Sequence, residues 1–372
     1  MRKIDFIFFD AGGGHRSAAN ALKSIVEQQG RPWQIRLVNL QEVLDPLDIF
    51  RKITGLRLQD VYNLLLKKGW TLGSPQLTIA MHAIIRVYHR GQVKLLKKFW
   101  AEGRPDLVVS LVPNFNRAIH RSLEARTPLV TVLTDLADHP PHFWIERGQD
   151  QHFICGTERA AAQARAHGHP PHRIHQTSGM ILRPKFYEPL ELDREAERVK
   201  LGLDPARTTG LVLFGGEGSS VMLDIARRVT GDVQLIFICG HNHKLAQKLR
   251  TIKAHVPIAV QGFTSEIPFF MALSDFLIGK PGPGSISEAL AMKLPVMVER
   301  NAWTLPQERY NADWIREKHV GVVLKSFRQI DQGLAELLAP GNFERFRANA
   351  ASIENRALFE IPEILESILN GA

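Results

Sequence analysis

Two glycine-rich turns carry most of the chemistry that can be read from this chain. Asp10-Ala11-Gly12-Gly13-Gly14-His15-Arg16 follows the apolar run Phe6–Phe9, and Lys280-Pro281-Gly282-Pro283-Gly284-Ser285-Ile286-Ser287-Glu288 follows Phe276–Ile278. Each precedes a helical pattern. A strand, turn, helix order leaves backbone N–H groups and a positive helix end open to a phosphate or diphosphate. Gly215-Gly216-Glu217-Gly218 and Gly240-His241-Asn242 end two further apolar runs. Four such turns at the carboxyl ends of strands can face one cleft. A dinucleotide fingerprint fits poorly. The first turn lacks its Gly-x-Gly-x-x-Gly spacing, and Asn39 and Gln41 stand where a ribose-binding acid is needed. His15 comes directly after the glycines at a helix start, whose positive end disfavours the imidazolium and favours a neutral ring able to take a proton. A His that only positions the loop fits the same place. Asp135 and Asp138 do not form an Asp-x-Asp metal motif, and the histidines at 139, 142, 167, 169, 172 and 175 fit no zinc spacing, so neither metal nor cofactor is expected.

The elements that must position these groups alternate along the chain. Strand patterns occur over Ile4–Phe9, Ile35–Leu40, Leu107–Leu111, Leu129–Thr134, His152–Cys155 and Ile174–Thr177, then Leu211–Phe214, Val233–Cys239, Phe276–Ile278, Val296–Glu299 and Gly321–Leu324. Helical patterns in the first half cover His15–Gln29, Leu58–Lys68, Leu77–Trp100, Phe115–Ala125 and Glu158–His167. Such alternation predicts parallel sheets covered on both faces. The proline-bearing stretch Arg183–Asp204 reads as the interdomain linker and entry to the second domain, and Phe343–Leu369 as helix that packs back across the cleft.

At 372 residues the chain fits two domains of ordinary size, and 44% hydrophobic residues supply real cores. Cys155 and Cys239 each end a strand pattern and read as buried reduced thiols, which favours a cytosolic compartment. No signal peptide is evident, and no run approaches the ~20 apolar residues that span a bilayer. The net charge of +9 is unevenly placed: residues 51–104 hold eleven Lys/Arg against Asp60 and Glu102, an excess equal to that of the whole chain. With Leu64, Leu65, Ile84, Val87, Leu95, Leu96, Phe99 and Trp100 at helical spacing, this segment reads as an interfacial helical region drawn to an anionic membrane surface. Ordinary surface helices covering a sheet are the alternative. No nucleic-acid-reading module is present.

Taken in order, Gly12-Gly13-Gly14-His15-Arg16, Thr131-Val132-Leu133-Thr134-Asp135-Leu136, Gly215-Gly216-Glu217-Gly218, Cys239-Gly240-His241-Asn242, Gly262-Phe263, the Lys280–Ala289 turn and Pro306-Gln307-Glu308 with Asn311 resemble the monogalactosyldiacylglycerol synthase and processive diacylglycerol glucosyltransferase family. The resemblance implies an α/β GT-B fold, two Rossmann-like domains facing a central cleft. It places an acceptor- and membrane-binding domain at 1–182, a nucleotide-sugar domain at 183–345 and a C-terminal helix at 346–372. It also implies inverting, metal-independent transfer of a hexose from a UDP-sugar donor to a lipid acceptor such as diacylglycerol, by an enzyme held peripherally on the cytoplasmic face of the cell membrane.

By the same resemblance His15 is the base. The departing diphosphate rests on backbone amides around Gly215, Gly216, Glu217 and Gly218 and around the turn of Gly282, Pro283, Gly284 and Ser285, with Gly13, Gly14, Gly240, Asn242 and Lys280 nearby. Glu288 takes the ribose hydroxyls, Gly262 and Phe263 hold the uracil ring, and Gln307 and Glu308 hold the sugar. Asp135 faces the acceptor side. Departures occur at Pro281 and across Asn301-Ala302-Trp303-Thr304-Leu305, and the latter leaves the choice of sugar open. A UDP-sugar epimerase or hydrolase of the same fold, or a non-catalytic nucleotide- or lipid-binding module, are the competing functions. Against the first, a soluble substrate needs no basic amphipathic segment. Against the second stands the full set of donor motifs with His15.

Overall fold

The computed structural model describes residues 1–10, 13–47 and 84–371. Gly12, the helix expected over Leu58–Lys68 and the start of Leu77–Trp100 lie outside the described residues.

Two six-stranded sheets organise the chain, and every strand pairing is parallel. The first contains β1 (Arg2–Phe8), β2 (Trp33–Asn39), β3 (Leu107–Ser110), β4 (Leu129–Val132), β5 (His152–Cys155) and β6 (Ile174–Gln176), in the order β2-β1-β3-β4-β5-β6. The second contains β7 (Thr208–Leu213), β8 (Val233–Ile238), β9 (Ile258–Gln261), β10 (Phe276–Gly279), β11 (Val296–Glu299) and β12 (Gly321–Leu324), in the order β12-β11-β10-β7-β8-β9. Strand order reverses between β1 and β3 in one sheet and between β7 and β10 in the other, where doubly wound sheets open their ligand crevice. The expected α/β architecture is therefore present.

The strands are near-continuous apolar runs because both faces are covered. In the second sheet Leu211, Ile236, Ile238 and Leu277 pack to one side, and Val212, Leu235, Phe237 and Phe276 to the other. In the first, Ile4, Phe6, Leu107 and Val130 meet Leu22 and Val26 of the helix Gly14–Gln28, while Ile7, Val108 and Leu129 meet Leu96, Trp100 and Ile119. The Cys155 and Cys239 thiols are buried and free, and burial pushes them up to about 12 and about 11, so neither is a thiolate at neutral pH.

Two features add to the sequence reading. The stretch Arg183–Asp204, read as linker and entry to the second domain, holds the helix Arg194–Lys200. Arg198, only 4% exposed, pins that helix to the second sheet by donating to Asp275 and to the carbonyls of Leu273, Pro205 and Arg207. Strand β9 has no counterpart among the sequence patterns. It is a four-residue edge strand of which only Ala259 is buried, so its side chains give little period-2 signal.

The helix Asn342–Ser352 packs Phe346 and Ala350 on the second sheet. After Asn355 the chain passes to the other sheet, and the helix Ala357–Gly371 puts Ala357, Leu358, Ile361 and Leu365 into the core around Ile4 and Phe6. The crossing is clamped: Asn355 Nδ2 donates to Met180 O at 2.9 Å, and the Arg356 N–H to Ser178 Oγ at 2.7 Å.

Candidate active site

In the second sheet the site is built of backbone. Gly215 (φ +80°) and Gly218 (φ +59°) turn the chain after β7, and Gly240 (φ +57°) does so after β8. The two turns interlock. His241 N donates to Gly216 O at 2.8 Å and Asn242 Nδ2 to Glu217 O at 3.2 Å, and a Cβ on Gly240 would collide with the Gly216 carbonyl. Asn242 also caps the helix His243–Thr251 through Leu245 N. The third turn ends β10. Gly282 is the N-cap and Pro283 the first residue of the helix Pro283–Ala291, where proline's fixed φ and missing N–H cost nothing. Asn311, fully buried, holds this turn by donating to Pro281 O at 2.8 Å. Free amides and the helix end at Gly284 and Ser285 point out of the strand ends.

Charged side chains flank these amides. Lys280 Nζ lies 2.9 Å from Glu308 Oε1. Glu288 sits on the inner face of the helix Pro283–Ala291, its carboxyl pushed up to about 7 by burial and held back by Arg183, whose Nη2 is 3.4 Å away. Phe263 is 58% exposed and stacks on His241 with centroids 4.1 Å apart, a flat apolar surface at the ends of β8 and β9.

In the first sheet the site is built of side chains. Gly13 (φ +78°) is the N-cap of the helix Gly14–Gln28, and its left-handed backbone sets His15 one residue into the first turn. The His15 Nδ1 lies 3.1 Å from Thr134 Oγ1, beyond the end of β4, and its ring is hydrogen-bonded to the backbone of Leu111 beyond β3. Burial lowers its pKa to about 4, partly offset by the Leu111 bond. The ring is therefore neutral at physiological pH, with desolvation the largest cause. Asp135, 8% exposed, accepts from the Trp144 indole N–H at 2.8 Å, and burial pushes its carboxyl up to about 7. The Trp144 ring also lies 6.0 Å from that of His15.

Glu308 and Lys280 stand close enough to Asp135 for their charges to bear on it, Glu308 raising and Lys280 lowering its pKa. The two halves of the site thus meet. His15, Thr134, Asp135 and Trp144 form one contiguous group, and Lys280, Glu308 and Gly282 lie opposite. Gly262 and Phe263 lie with His241 at the β8–β9 end, and Gln307 lies in the short turn Pro306–Glu308 beside Glu308.

Four residues of this arrangement had no such role among the sequence expectations. Trp144 ties Asp135, His241 backs Phe263, Arg183 partners Glu288, and Asp138 orders the Trp144 loop by accepting the N–H groups of His142 at 2.9 Å and Trp144 at 2.6 Å. Among the described residues no group of three His, Cys, Asp or Glu is placed to hold a metal ion. The loop histidines instead pair with one another, His142 with His167 and His152 with His175. On the helix His89–Gly103, Leu96 and Trp100 face the core, so its apolar face is spent on the protein. Lys94, Lys97 and Lys98 remain exposed, with Ile84 and Val87 preceding them. No helix among the described residues is long and apolar enough to cross a membrane.

The family model described as monogalactosyldiacylglycerol (MGDG) synthase matches residues 15–180. The chloroplastic monogalactosyldiacylglycerol synthase of Spinacia oleracea is 28% identical over 91% of this chain. The chain spans 66% of that relative's length, just under two thirds. Among solved structures, Acinetobacter baumannii MurG superposes with a TM-score of 0.64 at 11% identity, covering 98% of this chain and 99% of its own. S. aureus MnaA, solved with UDP, gives 0.63 at 16% identity, covering 100% and 97%. At these identities the solved structures speak for the fold, which is GT-B. Motif order, family model and relatives agree, and the chain is a homologue of the monogalactosyldiacylglycerol synthases.

Proposed function

We propose that this chain is an inverting glycosyltransferase that moves a hexose from a UDP-sugar to a membrane lipid such as diacylglycerol, without a metal ion. The observation that carries this reading is the meeting of the His15, Thr134, Asp135 and Trp144 group with Lys280 and Glu308 at the glycine turn of the other sheet. The homology to galactolipid synthases supports the reaction class, and the UDP in the S. aureus neighbour supports the donor.

The chemistry follows from the groups present. The neutral His15 ring, positioned by Thr134 and Leu111, takes the proton of the acceptor hydroxyl. The hydroxyl oxygen attacks the anomeric carbon from the face opposite the diphosphate, and the bond to the β-phosphate oxygen breaks. One displacement inverts the centre, and UDP departs. Its charge is met by amides of Gly215, Gly216 and Glu217 and of Gly284 and Ser285, by the Ser285 hydroxyl and by the end of the helix Pro283–Ala291. Glu288 takes the ribose, Phe263 the base, Gln307 and Glu308 the sugar, and Asp135 the acceptor side. Residues 1–182 would form the acceptor domain and 183–345 the donor domain, with 346–372 joining them. The exposed lysines at 94, 97 and 98, with Ile84 and Val87, would rest on an anionic cytoplasmic membrane surface.

The test is incubation with UDP-sugars and membrane lipids in excess chelator, with products identified by mass. Glycolipid and UDP are expected. Transfer that appears only with added magnesium or manganese would remove the metal-free mechanism, and an isomerised or hydrolysed sugar with no lipid product would favour the epimerase or hydrolase alternative.

A further inference from the structure

Beside Gln307 and Glu308 lies a cavity of about 340 Å3 lined by Arg300, Asn301, Ala302 and Arg309. That is the scale of a small-molecule site, an order of magnitude above the ~30 Å3 of one water. Its charge is poorly compensated. Arg300 pairs with Asp313 at 3.1 Å, but Asp313 is shared with Arg316. Arg309 donates Nε to the Thr304 carbonyl at 3.4 Å, and among the described residues no carboxylate forms an ion pair with it. Across the cleft Arg159 sits 5.7 Å from the centre of the Tyr310 ring, again with no acidic partner among the described residues. Burial and then Arg309, with smaller contributions from Arg159 and Arg300, disfavour the charged form of His139, and Asp138 opposes them.

We infer that this cavity receives a carboxylate carried by the donor sugar, so that the sugar transferred is a hexuronic acid and Arg309 determines that specificity. The inference rests on the function proposed above and names its substrate class. In the chain Arg300–Ala302 precede and Arg309 directly follows the turn of Gln307 and Glu308, the positions assigned there to the sugar. A neutral hexose closing over the cavity would strip water from the Arg309 guanidinium and return no counter-charge. A carboxylate accepts the planar guanidinium fork in two parallel bonds, and its charge answers the three arginines together.

Calorimetric titration of the whole chain with UDP, UDP-glucose and UDP-glucuronate decides the matter. The protein should bind UDP-glucuronate about tenfold more tightly than UDP-glucose, the low end of what a charge-assisted hydrogen bond supplies. Arg309→Gln should bring the two within about twofold, and Arg309→Lys, which keeps the charge without the fork, should retain part of the preference. Equal or tighter binding of UDP-glucose overturns the inference. So does a preference that survives Arg309→Gln in a protein that still melts cooperatively. Should that variant not fold, the wild-type ratio and Arg309→Lys decide alone. Failure of UDP itself to bind would sink the proposed function and this inference with it. Binding of UDP and UDP-glucose without a uronate preference sinks only the latter.

Discussion

At the ends of β7, β8 and β10 the groups that face the cleft are backbone amides, whereas at the ends of β1 and β4 they are the side chains of His15, Thr134 and Asp135. The backbone turns are locked against each other by carbonyl bonds and by the packing of Gly240 on Gly216, so they present dipoles of fixed sign that no pH change removes. The side chains opposite are titratable and desolvated, with His15 lowered to about 4 and Asp135 raised to about 7. One half suits a charge that stays put, the diphosphate. The other suits a proton that must move.

Removing the moving half while leaving the fixed half should give the largest effect. His15→Ala is expected to lower transfer by about 10²–10⁴-fold, the usual loss of a general base, with UDP affinity held within about threefold. Steady-state rates beside calorimetry check it. Parallel loss of rate and affinity would make His15 a loop-positioning residue.

The converse change acts on the donor half. Glu288→Ala should weaken UDP binding by about 1.5–3 kcal/mol, the value of a hydrogen bond to a charged group, and should weaken 2′-deoxy-UDP less. Equal loss for both nucleotides would detach Glu288 from the ribose.

A smaller effect separates the halves by stability. The Asp135 carboxyl ionises near 4 when unfolded and at about 7 when folded, so the folded state holds the extra proton between those values. Its contribution to stability is complete below about 4 and is lost as pH rises to about 7. His15 runs the other way, costing stability as pH falls from about 6.5 towards 4. Asp135→Asn, which can still accept the Trp144 indole N–H, should therefore exceed the wild type at pH 8 by roughly 1 kcal/mol or more, and the gap should close by about pH 4. Urea melts at the two pH values measure it.

A further expected effect concerns the surface. Charge reversal at Lys94, Lys97 and Lys98 should reduce sedimentation with anionic vesicles by about 1 kcal/mol per residue in low salt and by less as salt rises. Unchanged sedimentation would leave the three lysines as ordinary solvated surface.

The fixed half was the more legible in the sequence. Its function lies in glycines and prolines at strand ends, and turn chemistry is local, so Gly215–Gly218, Gly240 and Gly282–Pro283 could be placed from their neighbours alone. The titratable half was legible only as single residues. His15 and Asp135 stood out, but Trp144 reaches Asp135 across nine residues through a loop that Asp138 shapes, and no spacing rule encodes that contact. Arg183 meets Glu288 across 105 residues and Lys280 meets Glu308 across 28, pairings that exist only once the sheets are assembled. The same limit hid β9, whose pairing with β8 makes a strand of four residues that carry almost no pattern. It also let the apolar stripe Leu96–Trp100 read as a membrane face when a neighbouring core claims it.

The helix Ala357–Gly371 closes the core around Ile4 and Phe6, more than 350 residues after β1 begins. During synthesis the strands β1 to β6 leave the ribosome with that side of their core open, and it remains open until about residue 365 has emerged. The second sheet draws its core from residues 182–350, so it can be complete first. Vectorial folding of this chain then runs against its reading order: the half made last matures earlier, while the half made first waits as a chaperone client.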